Sequence, residues 1–147
     1  MLKSKPRLST LEDANSIEKF GEVELVNTPV KRLDDYTFSD KVRFIKIDVE
    51  GHEESVLRGA EKLIQRDHPI LLIEIEERHK EGSVNKIKEL LYKFDYRGFF
   101  YYESYLHDIG LFDVSKYQNY GSKGKPYIFN FIYIHQDSVQ QFTQLFR

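Results

Sequence analysis

Phe44-Ile-Lys-Ile-Asp-Val-Glu-Gly51 decides how the rest of the chain is read. Between Phe44 and Val49 only Lys46 and Asp48 are polar, and the run ends on an acid and a glycine before a helical pattern begins. This predicts a buried strand running into a strand-to-helix turn. Side chains alternate along a strand, so Lys46 and Asp48 share one face, about 6.6 Å apart, while Ile45, Ile47 and Val49 share the other. A parallel strand covered on both sides is almost wholly apolar, so two charges here need a partner or a purpose. In open α/β sheets the ligand crevice lies beyond the carboxyl ends of the strands, which is where Asp48, Glu50 and His52 fall.

Downstream, Val56, Leu57, Ala60, Leu63 and Ile64 recur at helical spacing. They predict one helix of roughly four turns, with Asp67-His68-Pro69 as its stop. Ile70-Leu-Leu-Ile-Glu-Ile75 then reads as a second apolar strand, which makes the whole a βαβ unit. A second amphipathic helix is expected from Ser83, as its N-cap, to about Phe94. It is followed by an aromatic strand, Tyr96 to Tyr102, a long connector over 103–125, a strand over Pro126 to Ile134, and a short helix capped by Asp137 or Ser138. Upstream, Glu22 to Val26 and Val30 to Leu33 alternate like short or edge strands, interrupted by Pro29. Residues 1–21 have no sustained period and are expected to be loosely ordered.

Composition narrows the function classes. The length of 147 residues suits one domain, and 40% hydrophobic with 31% charged residues fits an ordinary globular chain. With 22 basic against 24 acidic side chains the net charge is −2, too small a field to gather nucleic acid. The absence of cysteine excludes disulfides, thiolate zinc sites and cysteine nucleophiles, and favours a reducing compartment. No apolar run approaches about 20 residues and no secretory pattern opens the chain, so no membrane span and a cytoplasmic location are expected.

Ile-Lys-Ile-Asp-Val-Glu-Gly-His-Glu, residues 45–53, resembles the middle of the FkbM-type methyltransferase family. So do Val56-Leu-Arg-Gly-Ala60, Pro69-Ile-Leu-Leu-Ile-Glu74, Leu8-Ser-Thr-Leu11 and Val30-Lys-Arg-Leu-Asp-Asp35. The resemblance covers roughly residues 8–80. It implies an α/β, three-layer, Rossmann-like class I sheet, S-adenosylmethionine as cofactor, and a small-molecule hydroxyl acceptor. It also implies that the last two strands form an antiparallel pair, one of them inserted beside its neighbour. The glycine-containing turn of that family's cofactor half is missing. The eight glycines form no Gly-x-Gly and no strand-turn-helix nucleoside loop. The chain therefore resembles the carboxyl-terminal half of such an enzyme, a single partial domain over 1–147. Self-association or a missing amino-terminal half is then expected, because a cut sheet exposes an edge.

By resemblance Asp48 lies where the strand end meets the cofactor's methionine part and the acceptor hydroxyl, as catalytic residue and as the one cofactor-binding candidate. Its plainer reading is a turn acid, or half of an ion pair with Lys46. Glu50 and His52 flank Gly51 as further catalytic candidates, and both also suit an ordinary first helical turn. Glu74 is the substrate-side candidate, and a Lys46–Glu74 pair would account for both charges. Asp48, Glu50, His52 and Glu74 match no closed metal site, and His68, His79, His107 and His135 are scattered along the sequence. The aromatics of 94–105 and 117–133 are read as core and strand residues before any base-stacking platform. Two function readings follow: O-methylation of a metabolite, sugar or lipid hydroxyl, or a non-catalytic α/β module that lacks the cofactor half.

Overall fold

A computed structural model describes residues 28–119, 121, 124 and 126–144. The strand expected at Glu22 to Val26 and the loose order expected over 1–21 lie outside the described residues. The fold runs β1 (Phe44–Ile47), α1 (Glu53–Arg58), α2 (Glu61–Asp67), β2 (Ile70–Glu74), α3 (Ser83–Tyr92), β3 (Tyr96–Tyr102), β4 (Tyr105–Asp108), α4 (Val114–Tyr117), β5 (Asn130–His135) and α5 (Gln136–Thr143). The five strands make one mixed sheet in the order β1-β2-β5-β3-β4. β1 and β2 are parallel, and β5 is inserted antiparallel between β2 and β3. The βαβ unit and the inserted antiparallel strand are thus as expected.

One face of the sheet carries the core. Leu71 pairs with Tyr133 and Tyr133 with Gly98, while Ile73 pairs with Phe131 and Phe131 with Phe100. All these side chains are essentially sealed from solvent and cluster with Leu57, Ile64, Val84, Ile87 and Leu91 of α1, α2 and α3. The alternation that put Ile47 inside and Lys46 outside drives this packing. The opposite face is only half covered: Leu72, Phe99 and Ile132 are partly exposed, and Phe44 is 55% exposed. The α/β expectation is met by this mixed sheet with its helices.

Several local expectations are corrected. The single helix after Gly51 is two, because Arg32-Leu33-Asp34 docks at the break. The Asp34 amide donates to the Gly59 carbonyl at 2.9 Å, and the Asp34 carboxylate accepts the amides of Lys62 and Leu63 at 3.2 and 3.0 Å. A remote side chain thereby caps α2, a task usually given to a residue of the helix's own N-terminus. The same docking turns Leu33–Asp35 into a 3₁₀ turn, so Val30 to Leu33 is not a strand. Ser83 is the first residue of α3 and not its cap. The cap position is Gly82, in the left-handed region at φ 77°, and the Glu77 carboxylate accepts the amides of Gly82 and Val84.

The 103–125 connector contains β4, reached by a two-residue hairpin in which Glu103 and Ser104 both have positive φ, 47° and 69°. Such turns favour Asn-Gly or Gly, so Glu-Ser carried no turn signal. The last strand starts at Asn130, not Pro126, and α5 is capped by His135, whose Nδ1 accepts the Asp137 amide at 3.5 Å, not by Asp137 or Ser138.

Gly98 has a packing role. A Cβ there would lie 2.6 Å from Tyr133 Cε1 and 2.8 Å from Ile109 Cγ2. Gly98→Ala is expected to destabilise the fold by about 1–3 kcal/mol through overpacking, read as a lower denaturant midpoint at unchanged slope. Asp67 gives a pH test. A bidentate Arg66 guanidinium at 2.8 and 2.7 Å, with the Val42 amide at 3.0 Å, holds its carboxyl down to about 2 from an ordinary 3.8. The ionised group therefore stabilises fully above the unfolded value, and the stabilisation fades as pH falls through the folded one. Melting temperature followed from pH 5 to pH 2 should drop less steeply in Asp67→Asn than in the parent.

Candidate functional site

The parallel register fixes which side chains meet at the carboxyl end of the sheet. Ile47 pairs with Ile73, so the next step along sets Asp48 beside Glu74, on the face shared with Lys46 and Leu72. β1 ends at Ile47, and the chain turns through Glu50 at φ 46° and Gly51 at φ 102° before α1 starts. Glycine suits that conformation, whereas Glu50 occupies the left-handed region at a steric cost. Strain of this kind gathers at turns where the surrounding structure over-determines the backbone. Here Glu53, 2% exposed, holds the turn by accepting the Gly51 amide at 2.8 Å.

Asp48, Glu50, Glu53, Glu74, Glu76 and His79 line one notch at this end. Its volume is about 10 Å³, room for roughly one water. Of the four predicted site residues, Asp48, Glu50 and Glu74 are brought together, while His52 is not in that lining and serves as the N-cap residue of α1. Lys46 Nζ donates to Asp48 Oδ2 at 2.7 Å, so the charge on β1 is answered by Asp48. The Lys46–Glu74 pair is replaced by this contact because Asp48 is two residues along the same strand face, within reach without crossing to β2. Glu74 remains close enough to raise the Lys46 pKa, behind the Asp48 hydrogen bond and charge.

The electrostatics divide the carboxylates. Burial first, then the neighbouring charges of Asp48 and Glu76, push the Glu74 carboxyl above its ordinary range. Glu76 goes the other way. Burial alone would raise it, but both its oxygens accept from Arg78 at 2.7 Å and Oε2 accepts from the Tyr127 hydroxyl at 2.7 Å, which holds it low. His79 Nε2 lies 3.5 Å from the same carboxylate. Glu76 is thus a fixed, ionised wall, whereas Glu74 holds a proton more readily than a solvent-exposed glutamate does.

Spacing along the sequence does not place Glu53, Glu76 or His79 in this site. His79 enters only because the loop after β2 folds back, bringing its Cβ against Gly51. Gln118 was also invisible. Its amide donates to the carbonyls of Ile75 at 2.6 Å and Ile128 at 2.9 Å, and its oxygen accepts the Glu77 amide at 2.9 Å, which pins the loop to the start of β5.

A group carrying a sulfonium, an ammonium and hydroxyls finds complementary charge in these acids. A notch of about 10 Å³ encloses no adenosine. The described residues therefore offer negative charge to the cationic end of such a group but enclose neither that end nor a base. Among the described residues no helix is long and apolar enough to cross a membrane.

No curated protein and no solved structure matches the chain. A family model described as the methyltransferase FkbM domain matches residues 3–101. That span takes in the strand, turn and loop that build the notch and covers more than half of the sequence, and the chain therefore belongs to the FkbM methyltransferase domain family.

Proposed function

We propose that this chain serves methyl transfer from S-adenosylmethionine to a hydroxyl of a small metabolite, sugar or lipid, with Asp48 at the acceptor. The observation that carries the reading is the convergence of Asp48, Glu50 and Glu74 at the carboxyl ends of two parallel strands in a chain of this family. The strand order β1-β2-β5-β3, with β5 antiparallel, supports a Rossmann-like class I sheet as its frame. The bound cofactor would supply the electrophilic methyl group.

The protein's part is positioning and proton transfer. Lys46 engages Asp48 Oδ2, and Oδ1 makes no hydrogen bond among the described residues. That oxygen is available to orient an acceptor hydroxyl and to take its proton as the oxygen becomes an ether. Glu74, with its raised pKa, suits a hydrogen bond to a neighbouring hydroxyl of the same acceptor. Glu50 contributes negative charge toward the cofactor's cationic end, while His52, outside the notch lining, serves the turn as the N-cap residue of α1.

A second reading, a non-catalytic α/β module, is favoured by the size of the notch and by the position of β1. Among the described residues no strand pairs with its outer edge. An uncovered edge invites association, so this reading expects concentration-dependent mass in light scattering.

The test is calorimetric titration with S-adenosylhomocysteine, followed by label transfer from S-adenosylmethionine to a panel of hydroxyl acceptors. Micromolar binding is expected, and Asp48→Asn should retain binding while losing about 10²–10⁴ in turnover. Undiminished turnover in Asp48→Asn would remove the proton-acceptor assignment. Absence of product binding would overturn the enzyme reading in favour of the module.

A further inference from the structure

At the opposite end of the same strands lies a cleft of about 430 Å³, within the range of small-molecule sites, roughly 300–1,000 Å³. We propose that it binds a small amphipathic anion: a carboxylate, sulfonate or phosphate monoester carried on an apolar body. This inference is independent of the methyltransferase reading.

The topology builds the cleft. Lys41 and Arg43 precede β1, and His68 and Ile70 stand at the start of β2. β5 runs antiparallel, so its last residues come to this same end and bring Ile134, with α5 beyond it. Ile70, Ile134 and Phe142 give the cleft an apolar floor, which a purely ionic ligand would not use.

Charge sets the sign of the ligand. Lys41 and Arg43 are exposed on the rim, and neither forms an ion pair among the described residues. Asp67 is the one carboxylate in the lining. Both its oxygens are taken by the Arg66 guanidinium, and one also accepts the Val42 amide. Its charge is spent locally, and the rim stays positive.

The histidines were scattered in sequence, but His68 and His135 stack here with ring centroids 3.6 Å apart and planes within 9°. Their nitrogens and an Asp137 oxygen lie within 4.8 Å of one another. That cluster does not suit a cation. In-plane lone pairs of parallel rings cannot converge on one ion, and Lys41 and Arg43 repel positive charge from the same end. The stack instead fixes the His68 wall of the cleft, on a backbone held left-handed at φ 48°.

The experiment uses the full chain and the fluorescent sulfonate 8-anilinonaphthalene-1-sulfonate, displaced by octanoate or by inorganic phosphate. One saturable site with a dissociation constant in the tens of micromolar is expected, and octanoate should displace the dye. The double variant Lys41→Gln, Arg43→Gln should weaken binding about tenfold. Ser138→Trp, which keeps the charge and fills the cleft, should weaken it as well. Near-UV circular dichroism and thermal melts confirm that each variant is folded. Absence of a saturable site, or equal affinity in the folded double variant, would overturn the proposal. Displacement by phosphate at the octanoate concentration would overturn the requirement for an apolar body.

Discussion

The ring of Tyr133 occupies the space that a side chain at position 98 would need. This contact ties together elements from the whole length of the fold. β5 can lie between β2 and β3 only if Tyr133 finds room opposite a residue without a Cβ, and Ile109 closes the same space from beyond β4. Close packing leaves no slack for a methyl group at such a point. Both ends of the sheet depend on it, since β5 delivers Asn130 beside Glu74 at one end and Ile134 to the cleft at the other.

The two ends then acquire opposite characters. At the carboxyl end the parallel pair gathers acids, and the balance of burial, Arg78 and Tyr127 sorts them into a fixed anion and a group with a raised pKa. At the amino end the one lining carboxylate is neutralised by its neighbour, and two cations are left on the rim. A chain with a net charge of only −2 therefore carries a separated charge distribution. Overall charge describes the far field, and local pairing decides what each end can hold.

Other acids act structurally. Asp34 caps α2 from a distant segment, and Glu77 caps α3 across its preceding loop. Either residue could be mistaken for part of a site in a sequence rich in acids. Their carboxylates are committed to amides that would otherwise be left unsatisfied at helix ends. Asp34 and Glu77 belong with the backbone, whereas Asp48, held only through Lys46 among the described residues, keeps an oxygen to spare.

Local pattern determined much of this by itself. The period-2 run through Ile45 and Ile47, the helical stripe of Val56, Leu57, Leu63 and Ile64, and the apolar run from Ile70 specify a strand, a helical segment and a strand, because burial of one face follows from spacing alone. The acids at the strand end were legible for the same reason, with the strand running into its turn. The helix break at Gly59, the Glu103-Ser104 hairpin, the His79 and Gln118 contacts and the stacking of His68 on His135 were not legible. Each depends on a partner many residues away or on a backbone conformation the residue type does not favour. Spacing records which face a residue is on, and only tertiary structure decides what stands opposite it.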